Sequence, residues 1–231
     1  MARATRPLFT ADTFRFLNAL ALNNHRDWFD ANREAYEKLV REPALELIRV
    51  MAPRLRRISQ HLVASDRKQG GSLMRVHRDV RFSRDKQPYK TNVGIQFRHA
   101  AGKDVHAPGY YLHVAPSGCF FGCGVWHPDA AALANIRRYI DEKPAAWKRV
   151  VCAPDFADRF DRDTEALSRA PKGYPPDHPL IEDLKRKSHI AMAPLRRTEV
   201  LSASLPDTLS ANCAASKPFM KLLSMALGLA F

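Results

Sequence analysis

Six cationic side chains fall within sixteen residues of this chain: Arg75, Arg78, Arg81, Arg84, Lys86 and Lys90, in the run RVHRDVRFSRDKQPYK. Only Asp79 and Asp85 oppose them. A guanidinium group offers a planar fork of donors that matches a carboxylate or a phosphate, and an ammonium offers a point charge. The segment is therefore expected to bind something negatively charged. Arg75, His77, Arg78, Arg81, Arg84, Lys86, Tyr89 and Lys90 are the candidate ligand-binding residues, with Tyr89 able to stack on a ring or to hydrogen-bond. Asp79 and Asp85 are the candidate catalytic residues, since each can orient an arginine, hold a metal or act as a general base.

The local structure decides how these groups are displayed. If the chain is extended from Leu73 to Phe82, then Arg75, His77, Asp79 and Arg81 share one face. Met74, Val76, Val80 and Phe82 then share the other with Arg78, which gives a charged front and a largely apolar back. Pro88 disfavours helix at Gln87, so SRDKQPYKT (83–91) reads as a loop, and loops on a rigid scaffold concentrate binding groups. Two plainer readings compete. One is a solvated charged strand whose surface ion pairs contribute little. The other is an Arg–Asp network that only fixes the loop.

Composition shows that this charge is local. The chain has 231 residues, 45% hydrophobic and 26% charged, with a net charge of +13. That is the balance of a globular protein, long enough to bury a core. Between Arg49 and Lys90 there are 12 Lys/Arg against 3 Asp/Glu, a net of +9, which leaves +4 for all other residues. The expected partner is an anionic small molecule or nucleic acid. No apolar run approaches the ~20 residues that span a bilayer, so no membrane partner is expected. The opening, MARATRPLFTADTF, lacks the apolar stretch of a secretory signal. Four cysteines, at 119, 123, 152 and 213, are too sparse for a disulfide framework and suit a cytoplasmic setting. Cofactor and oligomeric state stay open.

Three regions must position the segment. The first reads as helical: Thr10 or Asp12 caps a helix with Phe14, Leu17 and Leu20 at helical spacing, stopped at Asn23-Asn24. A second helix buries Trp28, Phe29 and Tyr36, and a third starts at Pro43 and runs to about Leu62. The middle switches to period two. Strands are expected over Leu73 to His77, Asn92 to His99, Tyr110 to Ala115 and Cys119 to Trp126, the last two joined tightly through Pro116-Ser117-Gly118. Gly102 lies in another turn-rich connection. The third region returns to helix over Asp129 to Asp141, Pro144 to Val151, Pro179 to Lys187 and the tail from Pro206, with a last strand through Val200 and Leu201. APKGYPPDHP (170–179) is too rich in proline for helix or central strand. The expected fold is a single α+β domain over 1–231, with a central antiparallel or mixed sheet of about four to six strands covered by helices from both ends of the chain.

Other constellations are weaker. Cys119 and Cys123, four apart on a strand, lie roughly 13 Å apart, too far to share one metal ion without a sharp bend, so no metal site is expected. The glycines of GCFFGCGVW mark a bulge, tight packing or close approach by a ligand or another backbone. Neither phosphate-loop pattern is present. Asn24 and Arg26 sit at a helix junction, where capping explains Asn and Asp, or on the rim of the basic site. Lys172 to His189 forms either a rigid surface loop and solvated helix or a second wall of the pocket.

The chain resembles the domain of unknown function 2461 family. RDVRFSRDKQPYKT (78–91) is similar to its signature, NNHRDWF (23–29) to its N-terminal motif, GYYLHVAPSGCFFGCGVWHP (109–128) to its central hairpin, and RAPKGYPPDHPLIEDLKRKSH (169–189) to its proline-rich loop and following helix. The resemblance implies that Arg78, Asp79, Arg81, Phe82, Asp85, Lys86, Pro88, Tyr89 and Lys90 are family features. It brings no activity with it, and it does not include Cys119 and Cys123. Three functions remain: a protein that binds phosphate, a phosphorylated metabolite or nucleic acid; an enzyme on a phosphorylated or carboxylated small molecule, with an Asp as base or metal ligand; or an interaction protein whose motif is a stabilising ion-pair network.

Overall fold

The first helix starts where the sequence offers a cap. In the computed structural model, which describes residues 6–102, 107–162 and 164–231, helix α1 spans Ala11–Leu22. The Thr13 hydroxyl accepts from the Thr10 backbone N–H, and Asn23 closes the helix by donating backbone and side-chain N–H groups to the Ala19 carbonyl. Short helices α2 (Arg26–Ala31) and α3 (Arg33–Tyr36) lead through a π-helical turn, Glu37–Arg41, into α4 (Glu42–Ile58). Pro43 follows directly on the π-helical turn, and the Leu39 carbonyl, four residues before it, accepts from the Thr13 hydroxyl at 2.8 Å instead. The helix buries Leu45, Leu47, Ile48, Met51 and Leu55.

A five-stranded antiparallel sheet follows, with its strands side by side in chain order: β1 (Leu62–Val63), β2 (Val93–His99), β3 (Gly109–Ala115), β4 (Gly118–Val125) and β5 (His189–Leu195). The β3–β4 hairpin closes through Pro116 and Ser117, with Ala115 paired to Gly118. Between β4 and β5 lie α5 (Ala130–Glu142), α6 (Pro144–Val151), α7 (Pro154–Ala157) and α8 (Ile181–Lys185). After β5 come α9 (Arg197–Val200) and the long α10 (Leu205–Ala226). The architecture is therefore α+β, with one sheet and helices from both ends of the chain.

The sheet has two unlike faces. Val93, Ile95 and Phe97, then Tyr110, Leu112 and Val114, then Phe121, Cys123 and Val125, then Ala191, Ala193 and Leu195 are all buried. α10 packs on β4 and α4, and α4 packs on β1 and β2, so these side chains meet the helices. The Tyr110 hydroxyl donates to the Cys213 carbonyl of α10, 3.1 Å away, which satisfies that buried polar group. The alternate residues of the same strands point the other way.

Two expected strands do not form. Leu73 to His77 makes only isolated bridges, Leu73 with Ile95 and His77 with Tyr89, because its backbone turns from one partner to another within four residues. Val200 ends α9, and the last strand is instead His189–Leu195, drawn into the sheet by pairing along all of β4 from Cys119 to Val125. The turn-rich connection expected around Gly102 runs into residues 103–106, outside the described residues, as do the first five residues of the opening read for a secretory signal. No helix among the described residues is long and apolar enough to cross a membrane.

Gly124 is where β4 needs glycine. Its φ is +121°, and a Cβ there would lie 2.1 Å from the His189 carbonyl oxygen. Gly124→Ala is expected to lose at least about 1–3 kcal/mol of stability, read by urea unfolding.

Candidate functional site

The basic segment leaves the sheet edge and returns to it. The Met74 N–H donates to Gly94 and the Gln96 N–H to Ser72, so 72–74 cover part of the outer edge of β2. The stem is then closed by Arg78 N–H to the Pro88 carbonyl, 2.8 Å, and Lys90 N–H to the Val76 carbonyl, 2.7 Å. Residues 79–87 form the tip. The stem is pinned to the N-terminal helices: Asn24 Oδ1 accepts from the Tyr89 N–H and Asn24 Nδ2 donates to the Tyr89 carbonyl, both at 3.0 Å. The Tyr89 ring is buried and stacks on Phe29 at 4.1 Å and 18°. Asn24, read above as a cap or rim residue, is thus the clasp that joins NNHRDWF to the PYK end of the signature.

The candidate residues divide into three groups. Tyr89 and His77 belong to the anchor, with ring centres 5.1 Å apart. Arg78, Arg81, Lys86 and the two aspartates hold the tip. Arg81 forks onto Asp79 at 2.9 and 2.7 Å, Arg78 meets Asp85 at 2.5 Å, and Lys86 Nζ donates to the Val80 carbonyl at 3.0 Å. Arg75, Arg84 and Lys90 have no carboxylate within ion-pair distance among the described residues. The expected apolar back face is not built. Phe82 is 96% exposed and Met74 is also exposed, because the segment turns back on itself instead of lying flat on the core. Arg81 reaches over the Phe82 ring, 5.9 Å from its centre.

The two aspartates are poorly disposed for proton transfer. Hydrogen bonds from Arg81 hold the Asp79 carboxyl below its ordinary range, and those from Arg78 do the same for Asp85. Both carboxylates are exposed at the tip. Among the described residues no group of three or more His, Cys, Asp or Glu is placed to hold a metal ion. Cys123 is buried in the sheet core, where desolvation pushes its thiol up to about 12.

A cavity of about 550 Å³ lies on the sheet face turned away from α10. Its floor and walls come from alternate residues of four strands: Gln96 of β2, Gly109, Tyr111 and His113 of β3, Phe120, Gly122 and Gly124 of β4, and Ile190 and Met192 of β5. Met74 and Lys90 close one side and Trp126 another. The basic segment therefore reaches the cavity through Lys90 at its end, with Met74 just before its start, and not through its tip.

The cavity is apolar and aromatic with a few polar groups. His113 lies flat against Phe120 at 4.8 Å and 9°, and its Nδ1 is 3.2 Å from the Tyr111 hydroxyl and 3.4 Å from Asn92 Nδ2. Burial lowers the His113 pKa and raises that of Tyr111, so both are neutral near pH 7. Lys90 is half-buried, and its ammonium is disfavoured by burial and then by the nearby charge of Arg75.

A family model described as conserved hypothetical protein (DUF2461) matches residues 12–222. The chain belongs to the DUF2461 family. No curated protein and no solved structure matches it. The family's match takes in both the clasp and the cavity strands.

Tyr111, His113, Phe120, Gln96, Met192 and Trp126 were not among the candidate site residues read from sequence. One signal was present in this DUF2461 chain. In GYYLHV, Tyr111 and His113 alternate with apolar residues on a strand whose next neighbour is rich in glycine. Polar rings facing a glycine-rich strand mark a sheet face that is not packed against other side chains.

Proposed function

We propose that this DUF2461 protein binds a small organic anion on the open face of its sheet, with Lys90 holding the acidic group. The observation that carries this reading is Lys90 itself. The residue lines a cavity of ligand size, its ammonium is half-buried, and it has no carboxylate partner among the described residues. A charge kept in such a place disfavours folding relative to a neutral side chain, because the unfolded chain solvates it better. An anion brought into the cavity offsets that penalty. Arg75 adds a second positive charge nearby.

The enzyme alternative, with Asp79 or Asp85 as base or metal ligand, draws no support from the site, since both carboxylates are exposed and ion-paired at the tip. The stabilising-network alternative is favoured for part of the signature only: Tyr89 and Asn24 anchor it. A nucleic-acid version would use the outer tip, where Arg84 is exposed, and would weaken steeply with added salt.

The test uses an apolar fluorescent sulfonate, 8-anilinonaphthalene-1-sulfonate, and its uncharged counterpart, N-phenyl-1-naphthylamine. Lys90→Gln is expected to weaken the sulfonate about tenfold, the loss of one charge-assisted contact, and to leave the neutral dye within about twofold. The variant is expected to be at least as stable as the parent, because it removes a partly desolvated charge. Equal sulfonate affinity in the two proteins would sink the proposal.

A further inference from the structure

Gly122 lies in mid-strand on the cavity floor without a backbone reason to be glycine. Its φ is not in the left-handed region. A Cβ added there would meet nothing closer than Tyr111 Cβ at 3.8 Å and Phe120 Cε2 at 3.9 Å, which is ordinary contact. Glycine in a strand interior has more conformational freedom to lose on folding and gives up cross-strand contacts, so it weakens the strand. Gly124 and Gly109 differ: each has a backbone carbonyl oxygen, of His189 and Phe97, at or inside 3.0 Å of the missing Cβ. The bare surface at Gly122 is thus spare space that the fold itself does not require.

The three glycines adjoin one another. Gly109 is paired directly with Gly124, and Gly122 lies two residues along β4 on the same face. Together they expose a flat strip of peptide backbone, roughly 7 Å along the strand and about 5 Å across to the next strand. Tyr111 and Met192, the residues paired with Gly122 on either side, rise beside it. Phe120 stands at one end, its ring 5.9 Å from that of Tyr111 and tilted by 55°. A flat floor with side walls suits a flat molecule. A rounded aliphatic body of the same size leaves the floor partly uncovered and collides with the walls.

We infer that the cavity takes a planar aromatic acid, whose ring lies on the backbone strip at Gly122 between Tyr111 and Met192 and whose acidic group faces Lys90. This rests on the anion-binding reading above and adds the shape of the ligand. The acidic group is a carboxylate, sulfonate or phosphate ester, which share the chemistry that an ammonium recognises.

The experiment measures displacement of the bound fluorescent sulfonate by two carboxylates of equal charge and equal carbon skeleton size, naphthalene-2-carboxylate and adamantane-1-carboxylate. The flat acid is expected to compete at least about tenfold better than the globular one. Gly122→Val is expected to remove that advantage while the melting temperature stays equal or rises, since a β-branched side chain suits a strand. Should this variant unfold, Gly122→Ala decides by the same two readings, because its methyl fits at ordinary contact distance. Equal competition by the two acids, a flat acid indifferent to the Gly122 substitution, or a fall in melting temperature for Gly122→Ala each overturns the inference. The two proposals fail separately. If Lys90→Gln weakens both acids alike and no shape preference exists, the anion reading stands and the planar one falls. If the flat acid keeps its advantage and neither acid responds to Lys90→Gln, the reverse holds.

Discussion

Tyr89→Ala is expected to destabilise the protein by about 3–5 kcal/mol, the range for deleting a large buried ring. The ring is 4% exposed and stacked on Phe29, and its backbone is held by both ends of the Asn24 amide. Against a total stability of about 5–15 kcal/mol, that loss brings the protein near its unfolding threshold. Tyr89→Phe keeps the stack and is expected to stay close to the parent. Arg81→Ala, three residues past the stem in the same signature, is expected to change stability by no more than about 0.5 kcal/mol, because Arg81 and Asp79 are both exposed. Urea unfolding followed by circular dichroism separates the three variants. A large loss in Arg81→Ala with a small one in Tyr89→Ala would show that the ion pairs, and not the clasp, hold the segment.

The second large effect is on pH. His189 is fully buried on the helix side of β5, edge-on to Trp147 at 5.8 Å. Desolvation first, then the charges of Arg162, Arg186 and Arg137, lower its pKa from 6.5 to about 3. Asp183, the carboxylate beside this group, is ion-paired to Arg162 and Arg186. The folded state therefore holds His189 neutral, while the unfolded chain protonates it below about pH 6.5. Stability from this residue is complete above that pH and is lost as the pH falls from 6.5 toward 3, by about 1.4 kcal/mol per pH unit. His189→Phe, which keeps an aromatic edge toward Trp147, is expected to flatten the unfolding free energy against pH over that window by one proton. An unchanged slope would mean that His189 is not held neutral in the folded protein.

Much of the fold was legible because it rests on local chemistry. Thr10, Pro144 and the Pro116-Ser117-Gly118 turn mark real boundaries, and the α+β class follows from the change of period between them. Strand β5 was hidden in HIAMAPL because alanine at 191 and 193 has little strand preference of its own; pairing with β4 overrides it. The Leu73 to His77 stretch misled in the opposite way. Its alternation is real, but its backbone partners lie on two different segments, and no sequence pattern carries that information.

The candidate site divided along similar lines. The charge of Arg75 to Lys90 was visible because it is concentrated in the chain. Which charge faces a cavity was not, since Lys90 is placed there by the clasp at Asn24, some sixty-five residues earlier. The cavity wall is assembled from single residues on alternate positions of four strands, from Gln96 to Met192. Each such residue has an ordinary neighbourhood in the chain. Only the glycines of β4 left a trace, and the same run contains one glycine required by the backbone, Gly124, and one that is not, Gly122.

The placement of α10 bears on how the chain behaves while it is being made. All five strands pair with their sequence neighbours, so the sheet can zip together as it is synthesised. Its apolar face, including Phe121 and Val125, is covered by a helix that begins ten residues after β5 ends and so is made after the whole sheet. At about 5–20 residues per second, that face stays open for one to several seconds after the sheet is complete. Nascent or prematurely stopped chains lacking Leu205–Ala226 thus present a sticky, fully paired sheet, and these are the species a chaperone would be called on to shield.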